Sequence, residues 1–306
     1  MKIAIIGAGL SGIAAARRLL DRGFDVTVFE KSRGWGGRCA SKRVDSHIID
    51  HGAQYFTLRD PLFQKTVEEA CGENLLTIQD PIFDERGVEI PTESPRFYHR
   101  LGNSRLVRDL GRGIEVRTDT TVEPLDDLII QGSRFDHILS TAPLPQTLKL
   151  AKVGEGAENP FVPCLCLILL YQGLALGRTK SAYAYSLKSE DSPVAWTACE
   201  NHKNGRIQGE VTVLVVHASQ RFSHQFLEVK PEKWSPILQE AVEKIWDIPS
   251  RLRLACFAHR WRYSRNPRGV SQASLPPGWS LAGDSLCESR VEAAWLSGVE
   301  ISKKIG

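Results

Sequence analysis

A glycine turn set between a short strand and a helix constrains this chain more than any other feature. Lys2–Gly7 reads KIAIIG, an apolar run with the length of a buried strand. Gly7-Ala8-Gly9-Leu10-Ser11-Gly12 follows directly as G-x-G-x-x-G. Ile13–Leu20 is rich in Ala, Leu and Arg and is expected to be helical. Phe24–Phe29 (FDVTVF) reads as a second strand, and Glu30 stands at its end, 18 residues past Gly12. This order is the layout of a dinucleotide-binding βαβ unit. Gly7 permits the tight turn, Gly9 lets the backbone approach a pyrophosphate, and Gly12 lets helix and strand pack closely. The helix start offers unpaired N–H groups and the positive end of its dipole to phosphates. Glu30 can accept hydrogen bonds from both hydroxyls of an adenosine ribose, and it would repel a 2′-phosphate, which argues against NADP there. By itself the motif leaves NAD and FAD open.

The next segment narrows the choice. Lys31–Arg38 reads KSRGWGGR, a basic glycine loop directly after the ribose acid. An NAD domain would continue into another helix and strand. Glycines here let the backbone pass close to a second phosphate or a flavin edge, and Arg38 can pair with a pyrophosphate through both arms of its guanidinium.

With these residues the chain resembles the glutathione-reductase-type FAD fold in its amine-oxidase-like branch. The resemblance continues at Asp50–Phe56 (DHGAQYF) and returns at Ser280–Gly298 (SLAGDSLCESRVEAAWLSG). In GNSRLVRDL, Asn103 stands where the family usually has Met, a mild departure. The resemblance implies non-covalent FAD, and it implies which residues touch it. Gly7, Gly9, Leu10, Ser11, Gly12, Glu30, Lys31, Gly37 and Arg38 come from the N-terminal unit. His51, Gly52, Ala53 and Gln54 follow, then Val122 beside adenine, and Thr141 and Ala142 where the chain returns. Gly283 and Asp284, the latter on the ribityl chain, and Arg290 and Val291 at a helix start complete the set. One cofactor site is thus expected from opposite ends of the chain.

Composition excludes several other classes. The 306 residues are 42% hydrophobic and 25% charged, ordinary for a globular protein. A net charge of +3 gives no pull toward nucleic acid or membrane. The longest apolar run, Phe161–Tyr171, is too short to span a bilayer and reads as a buried strand. With a strand beginning almost at Met1, no signal peptide is expected. The seven cysteines form no C-x-x-C pair and no zinc spacing with His, so no metal is expected. They read as reduced thiols of a cytoplasmic protein.

The expected class is α/β: a Rossmann-like FAD-binding domain with an inserted α+β substrate domain built on an antiparallel sheet. The FAD domain is expected in three pieces, 1–57, 99–143 and 264–306, with the substrate domain at 58–98 and 144–263. Asp60–Cys71 reads as a helix with Leu62, Phe63, Val67 and Ala70 on one face. Ile114–Leu125 reads as paired strands. Trp234–Trp246 reads as an amphipathic helix with Ile237, Leu238, Ala241, Val242 and Ile245 along its stripe.

The middle of the chain carries the more specific resemblance. Trp196–Arg206 (WTACENHKNGR) is similar to a W-x-A-x-N-x-x-K-P-G-R stretch of bacterial renalases, with Asn204 in place of Pro. Val216–Ser219 and His259–Tyr263 (HRWRY) resemble their H-A-S and H-x-W-R-Y stretches. The resemblance implies an oxidase that returns the 2- and 6-dihydro isomers of NAD(P)H to NAD(P)+, passing hydride to flavin N5 and then electrons to O2, giving H2O2. The candidate catalytic set is Gln54, Tyr55, Trp196, Asn201, His259, Trp261 and Tyr263. Gln54 and Tyr55 are expected near the flavin ring. Trp196 is read as a stacking face or a core residue, and Asn201 as a carboxamide partner or a turn residue. Arg206 and Arg262 are read as phosphate contacts or structural arginines, and His259 as a ring contact or a structural histidine. Trp261 and Tyr263 share a strand face and either wall the pocket or pack in the core. Partners are a dihydropyridine dinucleotide and O2, with no nucleic acid and no membrane. A flavin amine oxidase, a carotenoid-type desaturase and a non-enzymatic escort module on the same fold stand as alternatives.

Overall fold

The computed structural model describes residues 1–154, 159–173, 182–189, 191–269, 274–287 and 289–306; Glu288 of the terminal motif lies outside these. Two sheets organise the chain. The first is wholly parallel, in the order Trp279–Leu281, His137–Ser140, Lys2–Ile6, Asp25–Phe29, Val116–Arg117. Lys2–Ile6 is buried along nearly its whole length, as a central parallel strand must be. The helix Leu10–Asp21 packs on this sheet, and the C-terminal helix Val291–Lys304 packs on that helix. Gly298 allows the second contact: a Cβ there would lie 2.1 Å from the Ser11 carbonyl oxygen.

The second sheet has six strands, in the order Arg253–Arg265, Val162–Gln172, Val211–Ala218, Val194–Cys199, Ala184–Ser186, Ile82–Phe83. It is antiparallel except at its last pair, where Ile82–Phe83 runs parallel to Ala184–Ser186. The apolar run that includes Val162–Gln172 is explained by burial of both faces. Leu165, Leu167, Leu169 and Tyr171 pack in the core shared with the helix Pro231–Trp246, while Cys166, Ile168 and Leu170 pack against Ile49 and Trp261. Among the described residues no helix is long and apolar enough to cross a membrane.

Several local expectations need correction. Only Val116–Arg117 is a strand within 114–125, because Thr118–Leu125 leaves the sheet to pass over the cavity described below. The helix at 61–71 begins at Pro61 with Asp60 as its cap, whose Oδ1 accepts from the N–H groups of Leu62 and Phe63. Its buried face is Phe63, Val67 and Cys71, and Leu62 is 44% exposed. Pro231–Trp246 buries Trp234, Leu238, Val242 and Trp246 and leaves Ile237 outside.

Candidate functional site

The parallel sheet ends in a cradle made largely of backbone. Gly7 has φ +106°, a region that favours glycine. A Cβ on Gly12 would lie 2.0 Å from the Gly7 carbonyl oxygen, so the helix meets the strand with no room for a side chain. The helix's own hydrogen bonding starts at Ile13 N–H to the Gly9 carbonyl, 3.0 Å. The preceding N–H groups of its first turn are left for a ligand. Glu30 is buried, and its two carboxylate oxygens accept from the N–H groups of Ala8 (2.9 Å) and Ser32 (2.8 Å). The acid is thereby fixed while lone pairs remain for ribose hydroxyls. The basic glycine loop folds back onto the turn through Gly36 N–H to the Ala8 carbonyl, 2.9 Å.

The two ends of the chain close on each other here. Arg38 donates from both guanidinium arms to the two carboxylate oxygens of Asp284 and also to the Ser264 carbonyl. Ser289 donates to the same carboxylate. Arg38 therefore has a carboxylate partner of its own at the rim of the cradle, whereas the sequence suggested only a phosphate.

One cavity of about 1750 Å³ runs from the cradle into the substrate sheet. That exceeds the roughly 300–1,000 Å³ usual for one small ligand and leaves room for a dinucleotide and a second molecule. From the N-terminal unit Gly7, Gly9, Leu10, Ser11, Glu30, Lys31, Gly37 and Arg38 reach its wall. His51, Gly52, Ala53, Val122, Thr141 and Ala142 do so from the middle, and Gly283, Asp284, Arg290 and Val291 from the C-terminus. Gly12 is packed behind the turn and Gln54 lies beneath the surface, so neither lines the cavity.

Of the candidate catalytic residues, Tyr55, His259, Trp261 and Tyr263 line the cavity. Gln54, Trp196 and Asn201 do not. The Gln54 amide donates to the carbonyls of Asp50 and Gly52. Trp196 packs behind Tyr55, ring centroids 6.1 Å apart. Asn201 fastens the end of the substrate sheet: its Nδ2 donates to the Val211 carbonyl (2.7 Å) and its Oδ1 accepts from Val213 N–H (2.9 Å). Its amide is turned to its own sheet and it does not reach the cavity. Arg206 is fully buried and reaches no substrate, while Arg262 lies at the cavity rim and pairs with Glu228.

The W-x-A-x-N-x-x-K-x-G-R stretch has a different role. Lys203 and Arg206 join Glu200 and Asp50 in a quartet of fully buried charges. Lys203 Nζ lies 3.1 Å from Asp50 and 2.5 Å from Glu200, and Arg206 also donates to the His99 and Ile48 carbonyls. Burial opposes ionisation of Asp50, but Arg206 and Lys203 outweigh it and hold its carboxyl well below the usual range. Burial raises the Glu200 carboxyl, with Lys203 opposing and Asp50 reinforcing the rise. Asp50 also accepts from Ser41 (2.6 Å) and from Asn103 N–H (2.9 Å). It immediately precedes His51, so the quartet anchors the cavity wall.

That wall is a cluster of rings. His51 stacks on Trp261 at 5.4 Å and meets His259 edge-on at 4.8 Å, and His259 lies 4.2 Å from Trp261. The His51 carbonyl accepts from Trp261 Nε1 (3.1 Å), His217 Nε2 (3.2 Å) and the Cys166 thiol. A carbonyl only accepts, so His217 carries its proton on Nε2. Burial, then the neighbouring His259, pushes the His51 imidazole down to about 4. Burial also takes His217 to about 4, with Lys203 and Arg265 adding to the fall. His259 is lowered by burial and by Lys42. These three imidazoles are therefore uncharged at neutral pH. His217 was passed over as a site residue although it opens the H-A-S stretch; only the pairing of its strand with Val162–Gln172 brings it beside His51.

Charge is distributed unevenly around the cavity. Twelve Lys and Arg residues line it against four acids, Glu30, Glu123, Asp284 and Glu292. Arg43, Arg59 and Arg265 have no carboxylate within 4 Å among the described residues. A net charge of +3 over the whole chain gave no sign of this concentration. Away from the cavity, Cys71, His99 and Asp109 have ligand-like spacing. His99 Nδ1 accepts from Leu101 N–H, so its Nε2 carries the proton and donates to Asp109, and a neutral imidazole so placed has no lone pair for an ion.

Residues 5–70 match the family model of the NAD(P)-binding Rossmann-like domain. Over 111 residues the chain is 36% identical to a 4,4'-diapophytoene desaturase of Staphylococcus aureus, covering 33% of this chain and 22% of the desaturase. Among solved structures it is similar to a putative protoporphyrinogen oxidase from Exiguobacterium sp. 255-15, with a TM-score of 0.74, 14% identity and coverage of 99% and 98% of the two chains. It is also similar to a putrescine oxidase (TM-score 0.70, 12% identity, 99% and 98% covered). A UDP-galactopyranose mutase gives a TM-score of 0.68 at 12% identity over 87% and 84%. The chain thus carries a Rossmann-like dinucleotide-binding unit and has the whole-chain fold of these proteins.

Proposed function

We propose that the protein is an FAD-dependent oxidoreductase with renalase-like activity. It oxidises the 2- and 6-dihydro isomers of NAD(P)H: dihydro-NAD(P) + O2 + H+ gives NAD(P)+ + H2O2. FAD fits the cradle, where Glu30 is held to take a ribose, the first helical turn is open to a pyrophosphate, and Arg38 and Asp284 are retained at its far end. Retention of these groups also speaks against an escort module. The chemistry FAD supplies when bound is a two-electron acceptor for hydride that O2 reoxidises.

The observation that carries the substrate assignment is the cationic wall. Two phosphates of one FAD are few for twelve cations, and among the described residues Arg43, Arg59 and Arg265 have no carboxylate within 4 Å. Such a wall suits a second pyrophosphate-bearing ligand and disfavours an ammonium substrate, whatever the likeness in fold to putrescine oxidase. The chain's own work is then limited. The arginines hold the phosphates, and the rings of Tyr55, His259 and Trp261 flank a planar dihydropyridine. Within that wall the neutral imidazoles of His51, His217 and His259 add no charge beside a hydride donor whose ring becomes cationic. Aromatisation supplies the driving force, so no strong base is required and positioning dominates.

The test is the visible spectrum of the purified protein during anaerobic addition of 6-dihydro-NAD. Bleaching of the flavin band with formation of NAD+ is expected. A band that stays yellow with the dihydro isomers but bleaches with putrescine or a monoamine would replace this reading with the amine oxidase.

A further inference from the structure

One imidazole of the cavity wall has two nitrogens with different and fixed roles. His217 lies on the strand Val211–Ala218, paired with Cys166 on the next strand, and Cys166 is paired in turn with His259. Residues paired across strands share a face of the sheet, and both histidines line the cavity. His217 Nε2 meets the His51 carbonyl at 3.2 Å, the same oxygen that accepts from Trp261 Nε1 and the Cys166 thiol. A carbonyl only accepts, so Nε2 carries the proton of the ring and Nδ1 keeps a lone pair. Among the described residues Nδ1 has no hydrogen-bond partner, and it is not closed off from solvent. Burial, with Lys203 and Arg265 adding to it and the bond to His51 opposing, takes this imidazole down to about 4. The lone pair is therefore kept at neutral pH.

A committed acceptor is scarce on this cavity. Its lysines and arginines only donate. Of its acids, Asp284 is taken by Arg38 and Ser289, and Glu292 accepts from the N–H groups of Arg59 and Asp60 at 2.7 and 2.6 Å. Glu30 is held at the strand end by Ala8 and Ser32. In the ring cluster His51 and His259 also present nitrogens, but no side-chain hydrogen bond among the described residues fixes either tautomer. Each is free to serve a ligand as donor or as acceptor. His217 is not: moving its proton to Nδ1 would set two lone pairs against each other at the His51 carbonyl.

We propose that His217 is a specificity-determining residue whose Nδ1 accepts a hydrogen bond from the carboxamide NH2 of the substrate. The identity of the donor rests on the dihydronicotinamide reading above, in which the substrate ring lies beside His259 and Trp261. His217 belongs to that cluster through the carbonyl it shares with Trp261. An acetyl group in place of the amide would turn a methyl to Nδ1, and a carboxylate would turn a second set of lone pairs to it, so neither gains a bond there. Pinning the amide also fixes the rotation of the ring that bears it, which is the positioning that hydride loss requires.

The experiment titrates oxidised holoenzyme with NAD+, the product of the proposed reaction, and with its 3-acetylpyridine analogue, in which methyl replaces the amide NH2. The flavin absorption band is followed for the native chain, His217→Leu and His217→Asn. The native protein is expected to bind NAD+ about threefold to tenfold more tightly than the analogue, the effect of one hydrogen bond. His217→Leu should bring the two ligands level, chiefly by weakening NAD+. His217→Asn can set an amide oxygen where Nδ1 stood and should restore part of the preference. Both variants lose the bond to the His51 carbonyl, so that structural loss cancels between them. Equal affinities in the native protein, or no binding of NAD+, overturn the assignment, as does a preference that survives in His217→Leu. An equal loss for both ligands in His217→Leu overturns it as well, since His217 would then hold a group that the two share, such as a ribose hydroxyl. If His217→Leu does not retain flavin, His217→Phe, which keeps a ring in the wall, takes its place. Reduction by dihydro-NAD of a protein that shows no preference keeps the reaction and retires the contact. A preference abolished by His217→Leu in a protein that dihydro-NAD fails to reduce keeps the contact and retires the reaction.

Discussion

The two halves of the cavity are held by different means. The cradle is backbone: a positive-φ glycine, a glycine with no room for a Cβ, a helix start, and one acid fastened by two N–H groups. The substrate wall is side chain: rings packed edge and face, hung from a carbonyl and anchored by four buried charges. A backbone site fails locally, through shape. A wall anchored by charge fails globally, because removing one partner leaves the others buried and unpaired. Arg206→Met should therefore have the largest effect: a loss of about 3–5 kcal/mol in stability by chemical denaturation. A loss below about 1 kcal/mol would mean that water reaches the quartet, and the contrast between the halves would fall.

The same difference decides what could be read from the sequence. The cradle is local in the chain and its geometry needs particular residues, so Gly7, Gly12, Glu30 and Arg38 could be singled out from the sequence itself, and Asp284 followed from resemblance. The wall is assembled across strands. His217, Arg43, Arg59 and Arg265 become neighbours of the cavity only through strand pairing and the Ser41–Val44 hairpin, which no spacing reveals. Trp196–Arg206 left a structural and a substrate-binding reading open side by side for a physical reason. A buried ion quartet and a substrate site select the same residue types, and only burial separates them. Lys203 and Arg206 are fully enclosed, and Asn201 spends its amide on the backbone of its own sheet.

Acid should strain the wall and spare the cradle. His51 ordinarily titrates at 6.5 and in the folded chain is pushed down to about 4, so it is neutral when folded. Below pH 6.5 the unfolded chain binds this proton and the folded chain does not. The contribution of His51 is thus complete above pH 6.5 and is lost as pH falls toward 4, by up to about 3 kcal/mol. His217 shifts in the same direction. Denaturation midpoints measured between pH 7.5 and 4.5 should fall for the native protein and fall less for His51→Asn. Parallel slopes would show that His51 is protonated in the folded wall.

Gly12→Ala tests the cradle in return. Its Cβ would meet backbone, the Gly7 carbonyl oxygen at 2.0 Å and the Thr141 hydroxyl at 3.1 Å. The expected loss is about 1–3 kcal/mol, together with a reduced flavin content on purification because the turn must open. Full flavin in a variant of native stability would show that the turn yields more easily than its packing indicates.

Asn201→Ala gives the smallest effect and the cleanest separation of structure from chemistry. The side chain makes two hydrogen bonds to the Val211–Val213 strand, at 2.7 and 2.9 Å, and is absent from the cavity wall. Losing both should cost about 1–2 kcal/mol, since Val211 lies toward the strand end and water can replace part of what is lost. KM and kcat with the dihydro isomers should stay at native values, because Asn201 does not reach the cavity. A change in KM without a change in stability would return Asn201 to the substrate, whereas a change in stability alone makes it a fastening of the Val211–Ala218 strand.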